Sequence, residues 1–559
     1  MRSYQKMLSI RNKISYISRQ PAHFLILAAI IAFHLINNII VISNHVAYPY
    51  ESVGAYLSNT MQLSDSISGP LPDVMQALQR FNYPLGYFAL SVPLYLAFGM
   101  GALRYCAINT GFFVLLLFSV YQLGRLLLSR NAGLLAAFLV SFFPAGFAAS
   151  RYYLPDYAFM CCISLSIYLM LKTDNFTNEK FSTLFGLSLG LAASIRVPAY
   201  IYILGPAVIF CIGAFAAGKK GHMRLSARNL GLAVLIAVLA ALPFYLPVFI
   251  NIVQHHALAV GFGEASASAM TADNILYYPR LMAGSMIMPL FFLVFLCSFL
   301  AFFLVRDRRL MIVLAWILVP YLFFTFLVPY NKSPRFMLPV LPAVSLLMAV
   351  FIGSIRRARL RHAMTLLIII AGVSQFFLTS YFPQSYHVIA SVSNLGHGPA
   401  GRYFNLDAFP YIFYADDGLG MFPPATAQFG LLHSIRTDWG IREAGEVIRN
   451  RAGASPARPI AVETFNQIVS MPLKYYVETE GIPASVMDSE HRPPSEGFGS
   501  PDVVIVTNMT RMHEFTGIEY LERINIHMAK FRQESGYANV RNISLPDGSA
   551  MQIYKRMKN

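Results

Sequence analysis

The chain has 559 residues, of which 56% are hydrophobic and only 13% charged, a composition that excludes an ordinary soluble protein. Its formal charge of +16 is unevenly held: residues 1–383 carry 27 Lys/Arg against 9 Asp/Glu, and the remainder 16 against 18. The basic excess therefore belongs to the apolar part, where loop charge under the positive-inside rule explains it, and a nucleic-acid partner is excluded.

In chain order, the first 22 residues form a basic N-terminus with Arg2, Lys6, Arg11, Lys13 and Arg19. The apolar run after it ends in "LINNIIVISNHV", without a small-residue cleavage site, so it reads as a retained helix. Apolar runs long enough for a bilayer core of about 30 Å recur up to residue 383. The predicted spans are 23–43, 105–128, 132–150, 156–172, 181–196, 197–217, 229–251, 281–305, 310–329, 336–354 and 363–383. With the N-terminus cytoplasmic, alternate loops hold Arg125/Arg130, Lys172/Lys180, "GKKGHMRLSAR", "RDRR" and "RRARLRH", which puts 20 of the 27 basic residues inside. The segment 84–100 is short, has Pro93 near its centre, and would invert every later loop if it spanned. It reads as a helix on the outer face, within a long outer loop over 44–103.

This topology places Glu51, the only acid in the first 64 positions, on the extracytoplasmic side. On the same side lie Arg151 and Asp156 in "ASRYYLPDYAF", Arg196 in "SIRVPAY", Arg280 in "YYPRL", and Lys332 with Arg335 in "NKSPRFMLP". Ionisable groups at membrane depth are costly and mark functional pathways or pair with a partner. Carboxylates and cations gathered at one bilayer face suit a sugar carried on a lipid phosphate. The cations would hold the phosphate as leaving group, and a carboxylate would take a proton from the attacking hydroxyl. Plainer roles compete. Asp156 after Pro155 suits a helix N-cap, Arg196 and Arg335 suit interface anchors, and Tyr48, Tyr50, Tyr83 and Tyr87 suit an aromatic belt. Asp65 and Asp73 sit among turn formers and read as solvated.

The order of these features resembles the GT-C glycosyltransferases: one helix, a long outer loop with an early acid, "NYPLGYFALSVPLYLAFG", then "SRYYLPDYAF". Within that superfamily the chain looks like the branch of the protein O-mannosyltransferases and the lipid A aminoarabinose transferase. "FSTLFGLSLGLAASIRVPAY" and "NKSPRFMLPVLPAVSLLMA" are similar to two further segments of that branch, and the likeness covers most of 23–355. The resemblance implies an inverting transferase with a polyprenyl-phosphate sugar donor, Glu51 as base and Asp156 as the second acid. From the gathering of charge at the outer face, donor-phosphate binding is expected of Arg151, Arg196, Arg280, Lys332 and Arg335, and substrate contacts of Tyr50, Asn82 and Tyr83. The chain departs from the pattern in having Tyr50 before a lone Glu51, where Asp or Asp-Glu is common. It also has Asn82-Tyr83 before Pro84, where a basic residue and prolines are usual. No cofactor is required, a divalent metal is possible, and the acceptor is a lipid or glycan, or a protein.

From 384 to 559 helix and strand patterns alternate. The expected elements are a helix over "WGIREAGEVIRNRAG", strand "RPIAVET", helix "FNQIVSMPLKYYVETEG", strand "ASVMD", strand "PDVVIVTN", a helical stretch over 510–534, and a closing hairpin of "ANVRNISLPDG" and "AMQIYKRMK". The fold class expected is a polytopic α-helical membrane protein of about eleven spans with a C-terminal soluble α/β domain. All five cysteines fall in apolar segments, so the tail has no disulfides. The tail shows no phosphate loop, metal spacing or nucleophile elbow, and no "WWDYG"-type motif, which argues against an oligosaccharyltransferase. A transporter or lipid flippase is the rival reading, and a phosphoethanolamine-type transferase a third. A prokaryotic plasma membrane is expected, although the Asn331, Asn508 and Asn542 sequons would be glycosylation sites in a eukaryotic lumen.

Overall fold

The computed structural model describes residues 20–44, 52–67, 78, 81, 83–99, 102–217, 220–253, 270–287, 289–305, 308–328, 333–381, 440–453, 459–464, 467–488, 501–507, 531, 536–545 and 550–557. The first part is a helical bundle: α1 (Gln20–Ser43), α2 (Ser52–Ile67), α3 (Gly86–Phe98), α4 (Ala102–Leu127), α5 (Arg130–Phe142), α6 (Pro144–Ser150), α7 (Pro155–Lys172), α8 (Glu179–Ile195), α9 (Ala199–Ala217), α10 (Lys220–Tyr245), α11 (Ala272–Leu281), α12 (Pro289–Val305), α13 (Arg308–Leu322), α14 (Leu341–Gly353) and α15 (Ala358–Tyr381). Among the described residues six helical stretches are long and apolar enough to cross a membrane, or seven if α5 and α6 count as one bent span. The remaining predicted spans fall on α7, α8, α9 and α12, which are helical in their places.

Two boundaries differ from the hydropathy reading. The span expected over 132–150 is broken, with α5 and α6 meeting at 69°. Pro144 opens α6 and lacks an N–H, so Phe143 before it leaves the helical region, at φ −66° and ψ 131°. The span expected over 281–305 is likewise composite: α11 ends at Leu281, a π-type turn occupies Met282–Met286, and α12 begins at Pro289. The short segment near Pro93 forms α3, whose 13 residues rise only about 20 Å, less than the bilayer core needs.

Helix packing follows small residues. α8 lies along α10, where a side chain at Gly186 or Gly190 would press on the carbonyls of Ala233 and Ala237, at 2.4 and 2.7 Å. The four-residue spacing of these glycines lets two backbones approach where lipid offers no hydrophobic drive.

The second part is an α/β domain with a five-stranded sheet of order β2-β1-β3-β5-β4. The elements are α16 (Ile441–Gly453), β1 (Ile460–Thr464), α17 (Gln467–Thr479), β2 (Ala484–Asp488), β3 (Val503–Thr507), β4 (Tyr537–Ser544) and β5 (Ala550–Arg556). β1 runs parallel to β2 and β3, while β5 pairs antiparallel with β3 and β4. The βαβ unit and the closing hairpin thus form as their patterns predict. β3 is buried along its whole length, as expected for a central strand. Most of the helix expected over 510–534 lies outside the described residues.

Candidate active site

The site is built where α7 begins and α8 ends. Leu154, extended, is the N-cap of α7 and makes no side-chain cap bond, and Pro155 follows at the first helical position. Asp156 is therefore not the N-cap that its place after proline suggested. It lies one residue further in, where the helix dipole still favours its charge. α8 stops at Ile195 because Pro198 follows, and Arg196 takes the extended conformation at φ −145° and ψ 136°. That swing brings the Arg196 guanidinium onto Asp156 in a direct ion pair, with side-chain exposures of 16% and 8%. At such depth the pair is only weakly screened by solvent.

Tyr56 of α2 completes the connection. Its hydroxyl accepts from Arg196 Nη2 at 3.1 Å and from Arg335 Nη1 at 3.5 Å. The Arg196 guanidinium also lies over the Tyr56 and Tyr83 rings, at 5.8 and 5.4 Å from their centroids. The two rings meet edge to face at 5.6 Å. Proximity to Tyr56, together with burial, pushes the Tyr83 hydroxyl above the usual phenol range, so it stays neutral. Arg335 sits in the 3₁₀ turn Pro334–Val340, and its own N–H, the first in the turn, is capped by the Ser333 hydroxyl. Tyr202 of α9 donates to the Phe336 carbonyl at 2.7 Å, and Phe336 stacks on Phe324 at 4.4 Å, so this turn is held from two sides.

Three helices and a turn thus bring two guanidinium groups, one carboxylate and the phenol that bridges them to one buried place. Such a group of donors favours a phosphate, which accepts several charge-assisted bonds at once. Among the described residues no three His, Cys, Asp or Glu side chains converge.

The other predicted residues distribute differently. Arg151 is 1% exposed. It donates to Asn38 Oδ1 at 2.8 Å and Ser380 Oγ at 3.0 Å, beneath the Phe147 and Phe376 rings. It ties α6 to α1 and α15 rather than joining Asp156, although only four residues separate the two in sequence. Arg280 lies in the last turn of α11, which packs on the 3₁₀ turn that carries Arg335. Asp65 is exposed on α2, as its solvated reading expected. Glu51, Tyr50, Asn82 and Lys332 lie outside the described residues.

Sequence reasoning missed the bridging role of Tyr56. The signal was available: once α2 is read as a helix, Tyr56 and Thr60 share a face. Thr60 indeed meets the Tyr153 hydroxyl at 2.7 Å.

Residues 22–259 match the family model described as "Dolichyl-phosphate-mannose-protein mannosyltransferase". The fold is similar to that of ArnT from Cupriavidus metallidurans, at a TM-score of 0.57 in the apo state, with 14% identity over 94% of this chain and 97% of that one. The same protein bound to undecaprenyl phosphate gives a TM-score of 0.56. Arabinofuranosyltransferase AftD from Mycobacteria matches at a TM-score of 0.53, with 12% identity over 95% of this chain and 40% of that one. An oligosaccharyltransferase of Archaeoglobus fulgidus matches at a TM-score of 0.50, with 12% identity over 86% of this chain and 68% of that one. No curated protein matches by sequence.

Proposed function

We propose that this chain, a membrane glycosyltransferase of the GT-C superfamily, moves a sugar from polyprenyl phosphate to an extracytoplasmic acceptor with inversion at the anomeric carbon. The observation that carries this reading is the meeting of Arg196 and Arg335 on the Tyr56 hydroxyl, with Asp156 holding Arg196. Two guanidinium groups held in place before substrate arrives are suited to a phosphate whose charge grows as it leaves. ArnT, similar in fold over nearly the whole chain, has been seen with undecaprenyl phosphate, a ligand of the proposed class.

In the proposed reaction an acceptor hydroxyl attacks the anomeric carbon from the face opposite the phosphate. The new C–O bond forms as the sugar–phosphate bond breaks. The electron pair leaves with the lipid phosphate, onto Arg196 and Arg335, and Lys332 and Arg280 are further phosphate contacts. The hydroxyl proton passes to the Glu51 carboxylate, while Tyr50, Asn82 and Tyr83 contact the sugar. Asp156 fixes Arg196 and leaves the base role to Glu51. Arginine supplies the positive charge, so the scheme requires no metal; were a divalent ion to bind, the carboxylates near the phosphate would hold it and it would add positive charge there, a variant that chelation would reveal. The loop-charge pattern supports a cytoplasmic N-terminus and an extracytoplasmic tail, and a prokaryotic plasma membrane is the setting we propose. The transporter reading loses its support, because the solved structures reported above are transferases.

The test follows loss of sugar from labelled polyprenyl-phosphate donors in membranes that hold the wild-type chain or Glu51→Gln, with native lipids present as acceptors. Consumption by wild type and a loss of at least ~100-fold in the variant are expected. Equal turnover by both would remove Glu51 from the chemistry.

A further inference from the structure

α17 belongs to two cores at once. Val469, Leu473, Tyr476 and Val477 pack into the interior of the α/β domain, whereas Tyr475, between them in sequence, is buried with the helical bundle. The bundle element that α17 meets is α2. Ser58 of α2, itself buried, donates its hydroxyl to Glu478 Oε1 at 3.1 Å. Gln62 Nε2 in turn donates to Ser58 Oγ at 3.2 Å, so the contact continues along one helix face.

α2 needs such support. Its sequence, "SVGAYLSNTMQLSDSI", holds Gly54 and seven Ser, Thr, Asn or Asp residues, all poor helix formers in an interior. At 16 residues it is close to the length at which isolated helices are marginal. Yet it carries Tyr56 onto Arg196 and Arg335, and its first residue, Ser52, directly follows Glu51. The placement of Tyr56, and through it of the two arginines, therefore depends on what packs against α2.

We infer that α17 is a clamp on α2, and that Tyr475 and Glu478 of the tail are positioning residues for transfer, an inference that rests on the functional reading above. The tail domain then sets the geometry of a site to which it gives no reacting group. Misplacement of a catalytic element by about 1 Å costs on the order of 100-fold in rate. Partial release of one contact would act mainly on kcat, because donor affinity comes from the lipid chain and from arginines on other elements.

The experiment uses the full chain with Ser64→Cys, a buried position of α2, as a reporter, labelled by a membrane-impermeant maleimide and corrected for the parent chain's own cysteines. Donor consumption is measured in parallel. Glu478→Ala is expected to raise the labelling rate severalfold and to lower kcat by about tenfold, with KM for the lipid donor within about threefold. Glu478→Gln, which keeps the accepting oxygen, should restore both, and Tyr475→Ala should behave as Glu478→Ala does. Protease resistance of the tail separates loss of the clamp from loss of the domain fold. Unchanged labelling and kcat in Glu478→Ala and Tyr475→Ala, with the tail folded, would overturn the clamp, as would failure of Glu478→Gln to restore them. A wild-type chain that consumes no polyprenyl-phosphate sugar would overturn the functional reading instead, and labelling alone would then decide the clamp.

Discussion

Arg196 is held by a carboxylate, a phenol and two aromatic faces, and each partner acts on the same charge. Removing the carboxylate leaves a buried cation without its counter-ion, which typically costs about 3–5 kcal/mol. Asp156→Asn should therefore lower the melting temperature and cut donor turnover by ~100-fold, since the guanidinium loses its aim at the phosphate. Arg196→Lys should not substitute, because an ammonium lacks the planar fork that reaches Asp156 and Tyr56 together. Melting and donor consumption on the two variants check both statements. The residue types of this cluster were legible in the sequence, because charged groups stand out in so apolar a chain. Their pairing was not. Arg151 lies closer to Asp156 in sequence than Arg196 does, yet a helix break turns it toward Asn38 and Ser380.

At the level of elements, the site depends on how closely α3 approaches the end of α8. A Cβ on Gly86 would stand 2.6 Å from the Ser194 carbonyl oxygen and 2.3 Å from its hydroxyl. Backbone cannot yield as a flexible side chain can, so Gly86→Val should force the two helices apart. Overpacking of this kind costs about 1–3 kcal/mol. Because Ser194 is two residues before Arg196, the strain should also appear as a loss of turnover out of proportion to the loss in stability. Thermal unfolding and donor consumption, measured on the same preparation, give that ratio. Hydropathy located α3, α8 and the other helices well, since the length of an apolar run is a local property. It misjudged the α5–α6 break and the composite α11–α12 segment, where proline and a π-type turn act inside a continuous apolar run.

Across the whole molecule, the docked tail links a soluble domain to the membrane bundle through a carboxyl group. Burial raises Glu478 above the usual carboxylate range, against opposing contributions from Lys474 and the Ser58 hydroxyl. A carboxyl raised on folding binds its proton more tightly in the folded state. Its contribution to stability is therefore fully present below about pH 4.3 and is lost as pH rises through the raised value. Docking of the tail should weaken over that interval, and Glu478→Gln should flatten the dependence. Maleimide labelling at Ser64→Cys as a function of pH measures it, and a slope unchanged by the substitution would assign the effect to another group.

The sequence by itself determined the division into a membrane bundle and an α/β tail, the parallel unit and hairpin of that tail, and the set of charged residues available to a site. These follow from run length, strand alternation and the cost of charge in lipid, all of which act over a few residues. Tertiary structure alone decided that Arg196 rather than Arg151 meets Asp156, that Tyr56 joins Arg196 to Arg335, and that α17 packs on α2. Each of these joins residues 40 or more positions apart, as the separations of 40, 279 and 420 show. Contacts of that kind depend on where helices break and how closely their backbones can approach, which no local pattern encodes.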